Sequence, residues 1–197
     1  MDLFITLLLT ISRTFRNPRT ASVWDGTRYT FKPKPWDRTS SGQLLTSRIP
    51  SYIDVSLVKF FIQTKMSAVV RKRGWIPVVL SSVQVRSQPK IPAGSLTIHT
   101  RVVGWHDQYV EIWHTWEDER GDEVLRSVYL TRVTHSGPDK VSGADMLEAL
   151  GETVVDIPLS QAAARLLSDY LMVKDANQQR KMMTQDYASS LKLKEQP

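Results

Sequence analysis

The chain of 197 residues contains no cysteine, which excludes disulfide bridges, thiolate nucleophiles and cysteine-bound zinc. Only two asparagines occur, Asn17 and Asn177, and neither begins a glycosylation sequon. There is no G-x-S-x-G motif around a serine and no glycine-rich phosphate loop. These absences argue against nucleophilic catalysis and nucleotide binding, and they fit an intracellular protein.

The charged residues and the histidines form no recognisable binding pattern. The net charge is +6, but lysine and arginine are spread along the chain without a dense run, so nucleic acid is not an expected partner. The four histidines show neither H-x-x-x-H nor H-x-H spacing. The sequence therefore predicts no metal site and no cofactor. An apolar fraction of 41% with six tryptophans predicts a folded globule.

The N-terminal segment begins with an apolar run over residues 3–11, about half the length that spans a bilayer. Asp2 stands where a secretory signal needs basic residues, and Arg13, Arg16 and Arg19 follow the run. The pattern is typical of an amphipathic helix, packed on the domain or, alternatively, in peripheral contact with a membrane through residues 1–16. We expect a cytoplasmic location or a peripheral one on an internal membrane.

In the remaining chain the spacing of the apolar residues changes at Gly74, from helical to alternating. Before it, residues 17–41 are predicted as an extended arm, residues 42–49 as a first strand, and residues 55–73 as a helix capped by Asp54. After it, apolar residues alternate in four β-patterned segments joined by short turns. Those segments are residues 75–87, 94–104, 108–118 and 123–135. A short helix over 142–151 and a longer helical stretch over 157–187 follow.

This order of elements predicts an α+β fold in which a five-stranded antiparallel sheet wraps around a long central helix, the hotdog fold, with extra N- and C-terminal helices. The predicted units are an N-terminal helix and arm (1–41), the hotdog domain (42–151) and a C-terminal helical extension (152–197).

The stretch "KIPAGSLTIHTRVVGWHDQYVEIWHTW" (90–116) resembles the fungal, THEM6-like branch of the thioesterase-like hotdog superfamily. It is similar to that branch's pattern of a proline, an E-x-x-T-R-x-x-x-W-D motif and an aromatic-rich strand. The stretches "RSVYLTRVTH" and "GADMLEALG" resemble the strand and short helix that follow, so the resemblance covers residues 1–151. It implies an apolar polyketide or terpenoid intermediate as the substrate and pairing of two domains through their sheets, so we expect a homodimer that binds an apolar small molecule, although the C-terminal helix could block the pairing surface.

The same resemblance implies a D-Y-N-x-H-x-S-N-S-x-Y-F motif before the central helix, where this chain reads "PSYIDVSLVKFF". Without gaps, the motif's acid falls on Pro50, its histidine on Asp54 and its second asparagine on Leu57. Three functions follow from this departure. The first is a repurposed, non-hydrolytic chamber that cyclises a polyketide or terpenoid intermediate of a natural-product pathway, for example by a [4+2] cycloaddition. The second is a thioesterase that uses Asp54 as its base, and the third is a non-catalytic scaffold.

Eight residues are candidates for the site, each with a purely structural alternative. The catalytic candidates are Asp54, which could instead only cap the helix, and His114, which could instead be a satisfied core residue. The substrate-binding candidates lie near the helix or on the aromatic strands and could instead be packing residues. They are Tyr52, Ser56, Phe60, Gln63, Trp113 and Tyr129.

Overall fold

The computed structural model describes residues 9–12, 14, 20–135 and 140–194, with side chains described up to residue 178. The strands are β1 (Thr27–Phe31), β2 (Trp75–Arg86), β3 (Leu96–His106), β4 (Tyr109–Glu117) and β5 (Glu123–His135). The helices are α1 (Ile49–Gln63), α2 (Met66–Arg73), α3 (Gly143–Leu150) and α4 (Gln161–Lys194), and short 3-10 turns occupy Pro35–Asp37 and Thr46–Arg48. Most of the predicted N-terminal helix, including the proposed membrane contact through residues 1–16, lies outside the described residues.

The five strands form one antiparallel sheet in the order β1-β3-β4-β5-β2. One face carries α1, and the buried apolar side chains of that helix and of β3, β4 and β5 form the core. Along β4, Val110, Ile112, His114 and Trp116 alternate onto this inner face, and all four are buried. Their cross-strand partners on β5, from Thr131 to Leu125, share the same face. The sequence-based α+β architecture is therefore observed.

The first strand is not where the sequence predicts it. The sheet begins at Thr27–Phe31, inside the segment predicted as an arm, whereas residues 42–49 form no strand of the sheet and make only isolated bridges, from Leu44 to Arg38 and from Gln43 to Pro92. In β1 the side chains of Thr27 and Tyr29 are buried while Arg28 and Thr30 are exposed. This period of two is a strand signal, but the prolines and glycines that flank it favour a loop.

The central helix also differs from its prediction. It starts at Ile49 with Pro50 in its first turn, so the prediction that Asp54 caps it is wrong: Asp54 lies within the helix. The predicted continuous helix over residues 55–73 is interrupted after Gln63, because Lys65 takes a left-handed backbone with φ of 61°. The ends of α3 are as predicted, with a capping box at Ser142 and a left-handed Gly151.

The C-terminal segment first passes along the end of β3 and then reaches the outer face of the sheet, opposite α1, where Ser160 contacts Glu111. The indole nitrogen of Trp105 donates to the Val155 carbonyl at 2.7 Å, and the Trp105 backbone N–H donates to the Ile157 carbonyl at 2.9 Å. Helix α4 then contacts β5 and β2. In the part of the chain that the structure describes, no helix combines the length and the apolar character that crossing a membrane requires.

Gly26 makes the tightest backbone approach in the fold, and replacing it with alanine should destabilise the protein. Its φ is +71°, and a Cβ at this position would lie 2.2 Å from the Thr100 carbonyl oxygen in β3. Left-handed strain and the clash together should lower the free energy of unfolding by about 2–4 kcal/mol in urea denaturation. Gly42→Ala is the matched control, since φ is +73° there and no atom lies within 4 Å. A similar small loss in both variants would contradict the clash.

Candidate functional site

A small apolar pocket of about 70 Å³ lies between α1 and the inner face of the sheet near β2. Its walls are contributed by α1, α2, β2, β4, β5 and α3. They are Leu57, Phe61, Met66, Pro77, Val78, Val79, Val110, Ile112, Thr131, Arg132, Val133 and Met146. The hydroxyl of Thr131 is engaged, because it donates to the Val110 carbonyl at 3.0 Å. The pocket therefore suits an apolar group.

Asp54 and Tyr129 are not among the residues that line this pocket, but each is close along its own element to a residue that does. Asp54 precedes Leu57 by three residues and Phe61 by seven, which places it on the same side of α1 as those pocket residues. Tyr129 precedes Thr131 by two residues on β5 and pairs directly with Ile112 on β4. A carboxylate and a phenol thus occur beside an otherwise apolar cavity.

Both groups have a raised pKa, and the charge of Asp54 contributes to the shift of Tyr129. The Asp54 side chain is solvent-accessible, but partial burial of its surroundings raises the pKa of its carboxyl above the usual value. The pKa of the Tyr129 phenol is raised by burial and, secondarily, by the negative charge of Asp54. A carboxylate with a raised pKa is a stronger base than an ordinary aspartate, and a phenol with a raised pKa stays protonated as a donor. Asp54 and Tyr129 thus offer a base and a hydrogen-bond donor, the two groups that hydrolysis at a carbonyl requires.

His114 lies deeper, in a buried polar cluster. Its Nδ1 is 2.9 Å from the Thr100 hydroxyl, which is 2.8 Å from the Ser56 hydroxyl on α1. The three residues are fully buried. Burial lowers the pKa of the His114 imidazole to about 3, so the ring is neutral at physiological pH. The structure places predicted site residues His114 and Ser56 in the core, where they join α1 to the sheet.

One more contact connects this cluster to the pocket. The imidazole of His114 meets the Tyr129 ring edge-on, with 4.8 Å between ring centroids. His114 Nε2 and the hydroxyl of Ser127, its cross-strand partner, are buried without a protein hydrogen-bond partner. His114 therefore packs against the ring of Tyr129, and it does not itself line the pocket.

Three further candidates lie elsewhere. The Tyr52 hydroxyl donates to Asp37 Oδ2 at 2.6 Å, and its ring stacks on Phe31 at 3.9 Å. Burial and the Asp37 carboxylate raise the pKa of Tyr52, which stays a neutral donor within the core. Phe60 is fully buried in the core, and its neighbour Phe61 lines the pocket instead. Gln63 ends α1, and its backbone carbonyl accepts from the Ala21 N–H at 3.0 Å.

Trp113 lies on the outer face of the sheet, away from the pocket. Its indole nitrogen donates to the Glu111 carboxylate, and the Arg126 guanidinium lies 4.3 Å above its ring. Glu111 is fully buried and accepts from the Ser160 backbone N–H at 2.8 Å and from the Ser160 hydroxyl at 2.6 Å. These contacts hold the start of α4 on the sheet. Trp113 therefore belongs to the attachment of the C-terminal extension.

Sequence reasoning missed the pocket walls, although part of the signal was present. Asp54, Leu57 and Phe61 recur at helical spacing and define one side of α1. Once α1 is known to begin at Ile49, this spacing identifies the side of α1 that faces the pocket. Within the described ranges, no group of three or more histidine, cysteine, aspartate or glutamate side chains is arranged to hold a metal ion.

Comparisons with known proteins agree with this architecture. No protein-family model and no curated protein matches the chain. Among solved structures, the probable thioesterase YbaW from Escherichia coli matches with a TM-score of 0.56 and 10% identity, over 62% of this chain and 95% of that one. 4-Hydroxybenzoyl CoA thioesterase from Pseudomonas sp. strain CBS-3 matches with 0.52 and 16%, over 64% and 99%. DHNA-CoA thioesterase from Staphylococcus aureus matches with 0.52 and 12%, over 66% and 97%.

At these identities the likeness establishes the fold. The chain has the hotdog fold, and its structural neighbours include thioesterases of that fold. The predicted fold class is confirmed.

Proposed function

We propose that the protein is a hotdog enzyme that hydrolyses acyl thioesters, with the acyl chain in the apolar pocket and the carbonyl between Asp54 and Tyr129. The observation that carries this proposal is the carboxylate and phenol beside that cavity. The thioester substrates named for two structural neighbours are compatible with such a site.

In the proposed reaction, ionised Asp54 removes a proton from a water molecule whose oxygen attacks the thioester carbonyl carbon. The Tyr129 hydroxyl donates a hydrogen bond to the carbonyl oxygen as negative charge develops on it. Collapse of the tetrahedral intermediate breaks the C–S bond, and the proton held by Asp54 passes to the leaving thiolate. The products are a carboxylic acid and a thiol.

We also propose that two copies pair through β2; the resemblance implies pairing through the sheets and names no strand. Among the described residues, β2 pairs only with β5, so its second edge is free for another strand. Pro77 and Val79 of this edge strand line the pocket, and Val79 is 45% exposed. A partner along β2 would therefore cover the side of the cavity that now faces solvent.

A second candidate function is cyclisation of an apolar polyketide or terpenoid intermediate, as a fungal natural-product enzyme of the THEM6-like branch would catalyse. The specific observation in its favour is the replacement of two polar motif positions by Pro50 and Leu57. Leu57 lines the pocket, and Pro50 lies in the first turn of α1. A chamber of this kind would accelerate a reaction such as a [4+2] cycloaddition by holding the substrate folded, with Tyr129 donating to a conjugated carbonyl.

The test is an assay of the full chain against acyl-CoAs of short, medium and long chain length, with detection of the free thiol. We expect turnover, and we expect Leu57→Trp to lower kcat/KM by about tenfold or more, because the indole would fill the pocket. Lys72→Trp adds the same bulk at an exposed position of α2 and should not change the rate. If no acyl-CoA of the panel releases a free thiol, hydrolysis is contradicted, and the remaining functions are cyclisation and scaffolding.

A further inference from the structure

Helix α4 begins on the outer face of the sheet and runs toward the free edge of β2. Its first turn is anchored through Ser160 to Glu111 on β4, and the helix then contacts β5 and β2. Ala163 is fully buried, and the side chains at positions 166, 167 and 170 are half-buried, which marks the side that faces the sheet. The direction of α4 is therefore from the middle of the sheet outward across β2.

The length of α4 exceeds the sheet that it crosses. Strands β4 and β2 are two spacings apart, or about 10 Å. Residues 161–170 already span about 14 Å of helix, and the helix continues for about 36 Å more, to Lys194. From Leu171 to residue 178 every side chain is exposed, including Met172 at 65% and Val173 at 61%. The side chains of α4 lose their burial after position 170, when the helix has run about 14 Å, which exceeds the distance of about 10 Å from β4 to β2.

The β2 edge itself has the properties of an interface. The strand is 12 residues long, its only charged residue is the terminal Arg86, and Ile76 and Val85 are more than half exposed. Both pair with β5 residues of the outer face, Ile76 with Thr134 and Val85 with Arg126. A long edge strand with a single terminal charge can pair with another strand, and in a two-fold symmetric dimer the same edge of each copy pairs with that of the other.

We propose that a second copy of this chain occupies the β2 edge and that α4 of each copy crosses onto the outer face of the other's sheet. Leu171, Met172 and Val173 would pack against the outer face of the partner's β2, beside either the partner's Ile76 or the partner's Val85, which lie about 30 Å apart at the two ends of that strand. The exposed apolar residues of α4 and those of β2 both lie on the outer face of the sheet. Pairing of the two β2 strands would therefore bring α4 of one copy close to the exposed β2 residues of the other. This inference rests on the proposed homodimer, and it adds the C-terminal helix as a clasp across that interface.

The absence of cysteine makes a direct test available. Met172→Cys is prepared in a chain with a long tag, and Val85→Cys or Ile76→Cys in a chain with a short tag. The chains are mixed and mildly oxidised. We expect a disulfide-linked heterodimer with at least one of the two β2 positions. Val154→Cys, exposed on the segment before α4, is the matched control for Met172→Cys and should give no such product. Absence of the heterodimer with both β2 positions would overturn the clasp.

Sedimentation of the full chain separates this inference from the function. Met172→Asp with Val173→Asp should raise the dimer dissociation constant by about tenfold to a hundredfold, whereas Val154→Asp should leave it unchanged. A wild-type chain that stays monomeric at all concentrations would overturn both the homodimer and the clasp. A dimer that is insensitive to the α4 substitutions would overturn the clasp alone. Neither outcome depends on thioester turnover, which the acyl-CoA assay reports separately.

Discussion

Replacing Asp54 with asparagine is expected to lower thioester hydrolysis by about 10²–10⁴-fold, because the amide cannot take the proton of the attacking water. The side chain is accessible and the substitution is nearly isosteric, so the protein should keep its fold. KM should change little, since the proposed acyl site is formed by apolar walls such as Leu57 and Phe61. The measurement is kcat and KM on the best acyl-CoA of the panel.

The pH dependence gives this prediction a second readout. Hydrolysis requires ionised Asp54, so activity should fall as the pH drops through the pKa of its carboxyl, which burial places above the ordinary aspartate value. The acidic limb should therefore appear at a higher pH than an ordinary aspartate would give, and it should disappear in Asp54→Asn.

Asp25→Asn, at an exposed position in the turn before β1, is the matched control and should retain the wild-type rate. Full activity in Asp54→Asn would remove Asp54 from the mechanism. A cyclase that works by shape would behave in that way toward its own substrate.

Much of the fold is predictable from the sequence because its signals are local. Alternation of apolar residues marks β2 to β5, and a serine cap and a closing glycine mark α3. The strand β1 is not predicted, because its five residues lie between turn-forming segments and are too few to show a clear alternation of apolar residues. Proline at the start of α1 was available as a start signal, since proline favours the first turn, and it would have placed Asp54 inside the helix.

The site was less predictable because its contacts join distant parts of the chain. Asp54 and Tyr129 are candidates by residue type, but only the register of β4 and β5 places Tyr129 beside Ile112 and the pocket. Tyr52 finds its partner in Asp37, and Trp113 shares Glu111 with Ser160, far along the chain. Such pairs leave no periodic trace, so the aromatic residues that bind substrate cannot be separated from those that only pack.

His114 should make the stability of the protein depend strongly on pH in the acid range. In the folded state burial lowers the pKa of its imidazole to about 3, whereas in the unfolded chain the ring takes its ordinary value of 6.5. Above pH 6.5 both states hold the ring neutral, and the full stability is present. As the pH falls from 6.5 toward 3, the unfolded state alone binds the proton, so the free energy of unfolding decreases by about 1.4 kcal/mol per pH unit.

Urea denaturation of wild type and of His114→Leu at several pH values between 3 and 7.5 measures this contribution. Because carboxylates also titrate in this range, the informative quantity is the free energy of unfolding of wild type minus that of His114→Leu, which should fall by about 1.4 kcal/mol per pH unit as the pH drops from 6.5 toward 3. The leucine variant keeps the hydrogen bond between Ser56 and Thr100, so its core is not left with a second unpaired hydroxyl. His106→Gln removes an exposed histidine from the β3–β4 turn and is the control for histidine number. Parallel curves for wild type and His114→Leu would mean that the buried imidazole takes up its proton in the folded protein. That result would contradict a neutral His114 in the cluster with Ser56 and Thr100.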